Sequence, residues 1–119
     1  MDESQELSQA REEVAAMMER ARQAQAQIAD YSQEQVDELI TAMVWAVARE
    51  DRSEEIAKFT VEETQLGNYA GKYLKIHRKT RATLMDIIDD KSVGVIEEDT
   101  ERNIVKIAKP VGVIGALSP

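Results

Sequence analysis

The chain has 119 residues, 43% hydrophobic and 32% charged, with a net charge of -8 and no cysteine. This composition describes one modest folded unit rather than a disordered segment, and its acidity argues against nucleic acid as a partner. The absent thiols exclude disulfides, thiolate zinc sites and a thiol nucleophile from these residues.

The longest apolar run falls far short of the roughly 20 residues a membrane helix needs, and the opening "MDE" is acidic, unlike a secretory signal. A cytoplasmic protein with no membrane partner is expected.

The first predicted element is a long helix. Leu7, Ala10, Val14, Met17, Ala21, Ala24 and Ile28 recur at alternating steps of three and four along one face. That face is rich in alanine and buries little area per turn, so the helix is expected to pack loosely or to dock on a part outside these residues. "YSQEQVDELI" restarts the pattern. Ser32 can cap a second helix, Gln35 occupies the reciprocal capping-box position, and Tyr31 stands where a hydrophobic staple begins. Val36, Leu39, Ile40, Met43, Val44 and Val47 form a core-facing stripe, and Trp45, Ala46 and Ala48 extend apolarity round the cylinder. This helix should be the most buried.

The polar cluster 50–53 ends that run. Asp51 or Ser53 can cap a third helix carrying Ile56, Phe59 and Val61, and Gly67 supplies a left-handed residue to close it. A fourth helix is predicted from Asn68 to about Asp89, with Gly71 an early weak point and a basic middle of Lys72, Lys75, His77, Arg78, Lys79 and Arg81.

After Asp90 the period shifts towards two. The β-branched runs 93–96 and 104–108, joined by a turn containing Asp99, Thr100 and Asn103, read as a hairpin. Pro110 interrupts the ladder, so 111–117 is expected as a separate strand. "VGVIGAL" shows no alternation and suits a strand buried on both faces of a parallel sheet, whose neighbours need crossover connections. The ending therefore reads as an interruption.

In order, "YSQEQVDELITAMVWAVARE", "VEETQLGN", "KYLKIHRKTRATL", "KSVGVIEED" and "KPVGVIGALSP" resemble the amino-terminal segment of the CoA-acylating aldehyde dehydrogenases, most nearly the sulfoacetaldehyde type. The likeness runs from about residue 14 to 119. It implies an α/β fragment: helical residues 1–90 belonging to the cofactor domain, a β-hairpin at 91–109 that joins the oligomerisation sheet, and a truncated first strand of a Rossmann-like dinucleotide-binding sheet at 110–119. By the same likeness Leu117, Ser118 and Pro119 lie at the cofactor-facing strand end, where open α/β sheets place ligands.

NAD or NADP and CoA are the implied cofactors. The remainder of the dehydrogenase chain and further copies in a homo-oligomer are the implied partners. The catalytic cysteine, the oxyanion-hole asparagine and the main cofactor contacts would follow Pro119, so these residues alone are expected to be inactive and to bind neither cofactor tightly. One departure stands inside the match, where Lys75-Ile76 occupies a place that reads Lys-Asn in the family.

Other candidate sites are weak. His77 is the sole histidine and has no nucleophile or carboxylate at an informative spacing, so a packing role is expected. The basic cluster could meet a phosphate or an acidic stretch of the same protein, although a solvated face is the plainer reading. Adjacent carboxylates at 62–63, 89–90 and 97–98 point in different directions, which does not suit paired acid-base work. "GVIG" at 112–115 is not a dinucleotide fingerprint. A second functional reading is a free-standing helical interaction module with a β-ribbon tail, associating with itself or with a longer relative; an exposed, unpaired apolar strand counts against it.

Overall fold

The computed structural model describes residues 3–117. In chain order the elements are α1 (Glu3–Ile28), α2 (Gln33–Ala48), α3 (Glu50–Thr64), α4 (Tyr69–Leu74), a π-helical turn (Lys75–Lys79), α5 (Thr80–Ile87), β1 (Gly94–Asp99) and β2 (Ile104–Ala108). The predicted fourth helix is thus the continuous run α4, π-turn and α5. The widened turn has no periodic signature in the sequence.

The capping box opens α2 as expected: the Gln35 amide donates to Ser32 Oγ at 3.3 Å and the Ser32 amide donates to Gln35 Oε1 at 2.9 Å. The joint between α2 and α3 differs from expectation. A single extended residue, Arg49 (φ -64°, ψ 149°), ends one helix and starts the next. Its N–H donates to the Trp45 carbonyl at 3.2 Å, and its carbonyl accepts from the Ser53 amide at 2.9 Å. Neither Asp51 nor Ser53 is the cap, because both already lie within α3. Ser53 is instead fully buried, and its hydroxyl donates to the Val47 carbonyl at 3.1 Å, satisfying a carbonyl in the last turn of α2. Buried Ala48 and Ala57 flank it, small enough for close approach of the two helices.

The left-handed residue that closes α3 is Gln65 (φ 55°), with Gly67 (φ 78°) a second one before Asn68 caps α4. Asn68 Oδ1 accepts from the Gly71 amide at 2.8 Å, and a Cβ at Gly71 would come within 3.3 Å of that oxygen. Gly71 therefore gives the cap room, at some expense in helix propensity.

The hairpin is antiparallel and pairs Val95 with Ile107, Glu97 with Lys106 and Asp99 with Ile104. Ile96 is the extra residue of a bulge between the first two of these pairs. In the turn, Asp99 Oδ1 accepts from the Arg102 amide at 3.0 Å, and Asn103 adopts φ 54°, a conformation asparagine tolerates better than most residues.

The helices α2 to α5 pack together, whereas α1 packs against none of the other elements. The radius of gyration is 19.3 Å, against about 13.5 Å expected for a compact chain of this length. Among the described residues only Ala48, Ser53 and Ala57 are fully buried. The expectation that α2 is the most buried helix is therefore corrected. Ala48 is its one buried residue, and Met43 and Trp45 are 61% and 63% exposed. The neighbouring helices cover one side of α2, and no described element lies on the other.

The expected strand at 111–117 is also absent. Gly112 sits at φ 94°, no described strand takes up the backbone N–H and C=O groups of this segment, and Val111, Ile114 and Leu117 are largely exposed. A strand exists only with a neighbour to pair with. Among the described residues no helix is long and apolar enough to cross a membrane.

Candidate functional site

Three places could carry function: the end of the chain, the basic helix and the base of the ribbon. The expected cofactor-facing residues come first. Leu117 is fully exposed, while Ser118 and Pro119 lie outside the described residues. Among the described residues the segment 111–117 joins no sheet, so the open strand end at which α/β sheets place ligands is not formed there. Among the described residues no cluster of histidine, aspartate and glutamate could hold a metal ion.

On the α4–α5 helix the aromatic rings at 69, 73 and 77 recur every four residues and stack in series. The centroids of Tyr69 and Tyr73 are 6.2 Å apart, and those of Tyr73 and His77 are 5.3 Å apart with planes 8° from parallel. Lys58 Nζ sits over the Tyr69 ring at 5.8 Å from its centroid. His77 Nδ1 lies 2.8 Å from the Ala48 carbonyl, and since a carbonyl only accepts, Nδ1 carries the proton and donates. Arg81 Nη1 stands 3.4 Å from His77 Nε2. The histidine thus ties the central helix to a carbonyl at the end of α2, the packing role expected of it. Desolvation, reinforced by the carboxylates of Glu50 and Glu54, pushes the Tyr73 phenol above its ordinary value.

Lys75, Arg78, Lys79 and Arg81 are exposed, and neither they nor Lys72 forms an ion pair among the described residues. They give the helix a positive face with no enclosed anion pocket.

The third place is a cleft of about 710 Å³ between the α1–α2 corner and the base of the ribbon, lined by Ile28, Tyr31, Val36, Val93, Ile107 and Pro110 among others. Gln33 frames it. Its Oε1 accepts from the amides of Ser92 and Val93 at 2.8 and 3.0 Å, and its Nε2 donates to Asp37 Oδ1 at 2.8 Å and Ser92 Oγ at 3.0 Å. Periodicity could not reveal this link, since it joins residues some sixty positions apart. The lining offers apolar contact, and its only charged side chains are Asp30 and Lys109. That is a surface for packing rather than for nucleophilic or acid-base chemistry.

No family model matches the chain. Individual relatives do. The acylating sulfoacetaldehyde dehydrogenase of Bilophila wadsworthia is 47% identical over 106 residues, 89% of this chain and 23% of the relative. The acetylating succinate-semialdehyde dehydrogenase of Clostridium kluyveri is 45% identical over 103 residues, 87% of this chain and 22% of the relative. The chain matches the amino-terminal part of the acylating aldehyde dehydrogenases.

A more distant relative, the bifunctional aldehyde-alcohol dehydrogenase of Escherichia coli K12, is 34% identical over 107 residues, 90% of this chain and 12% of its own length. The chain therefore spans less than a quarter of each of these dehydrogenases. The resemblance read from "VEETQLGN" and "KPVGVIGALSP" holds.

Proposed function

We propose that these residues form the amino-terminal support of a cytoplasmic CoA-acylating aldehyde dehydrogenase. The reaction is the conversion of an aldehyde, CoA and NAD+ or NADP+ to acyl-CoA, NADH or NADPH and a proton. The observation that carries this reading is 47% identity over 89% of the chain to an acylating dehydrogenase of which it spans 23%.

In this reading residues 1–90 buttress the cofactor domain, and the ribbon at 91–109 joins the oligomerisation sheet of a homo-oligomer. Residues 110–119 enter the dinucleotide-binding sheet, with Leu117, Ser118 and Pro119 at its cofactor-facing end. The exposed apolar groups support it. Trp45 and Met43 on α2, and Val111, Ile114 and Leu117 beyond the ribbon, are the side chains that a covering domain and neighbouring strands would bury.

Acyl transfer to CoA through a thiol nucleophile needs a cysteine, and these residues contain none. The chain's contribution is therefore to position and support. The test is direct: the purified 119-residue chain, given an aldehyde, CoA and either nicotinamide cofactor, should form no NADH or NADPH. Turnover by this chain alone would refute the assignment of its residues to support.

A further inference from the structure

We draw no further inference here: the strongest candidate, the apolar groove between α2 and α5 lined by Ile40, Val44, Ile76 and Leu84 with Lys75 and Lys79, is an uncovered face of a chain that spans less than a quarter of each dehydrogenase it matches, and nothing in the structure shows what covers it.

Discussion

The carboxamide of Gln33 holds Ser92 by two bonds, accepting from its backbone amide at 2.8 Å and donating to its side-chain hydroxyl at 3.0 Å. The first residue of α2 thereby fixes the segment from which the ribbon departs. Such a bond set trades solvent contacts for internal ones and contributes about 1–2 kcal/mol in all. Its larger effect is on where the ribbon points.

Gln33→Ala should leave the helices intact and raise the hydrogen-exchange rates of the Ser92 and Val93 amides by roughly tenfold. Gln33→Glu keeps the acceptor and should preserve part of that protection, while placing a second negative charge beside Asp37. Unchanged exchange in the alanine variant would show that the link does not order the ribbon base.

His77 supplies both a hydrogen bond to Ala48 and a stack on Tyr73. His77→Phe retains the stack and should cost about 1 kcal/mol for the lost bond. His77→Ala removes both and should cost about 2 kcal/mol. Urea denaturation of the two variants separates these contributions; equal losses would mean that the stack contributes nothing.

Tyr73 predicts an alkaline transition. Its folded-state pKa is raised above the ordinary 10.0 by desolvation first and then by Glu50 and Glu54. A raised acid favours its protonated form in the fold, so its stabilising contribution is present below pH 10 and is lost as pH rises through the folded value. Ultraviolet titration should show one tyrosine ionising later than the others, and Tyr73→Phe should remove that late component. A titration curve unaltered in its upper part would contradict the assignment.

The capping box gives a simpler case. Ser32→Ala removes the acceptor for the Gln35 amide and should lower stability by about 1 kcal/mol, measured by thermal or urea unfolding.

The elements with local signals were legible in the sequence. Ser32 and Gln35 marked the start of α2, alternating steps marked α1, and Asp99 and Asn103 marked the hairpin turn. The joint at Arg49 was not, because an arginine has no capping preference and is chosen there by the short link between α2 and α3. The burial of Ser53, the Gln33 link and the contact from His77 to Ala48 depend on tertiary placement, which no window of residues encodes. The strand expected at 111–117 carries a sound apolar signal, but pairing requires a neighbour that the described residues do not provide. Of the candidate site, the sequence indicated the family only through resemblance, since these residues contain no catalytic constellation to find.

The central claim is that these residues support an acylating dehydrogenase whose chemistry lies elsewhere. The most direct measurement is made on a chimera in which they replace the matching amino-terminal segment of the Bilophila wadsworthia relative. The account predicts a folded, soluble protein that reduces NAD+ or NADP+ in a CoA-dependent manner with sulfoacetaldehyde. A folded chimera with no such activity, beside an active parent, would contradict it.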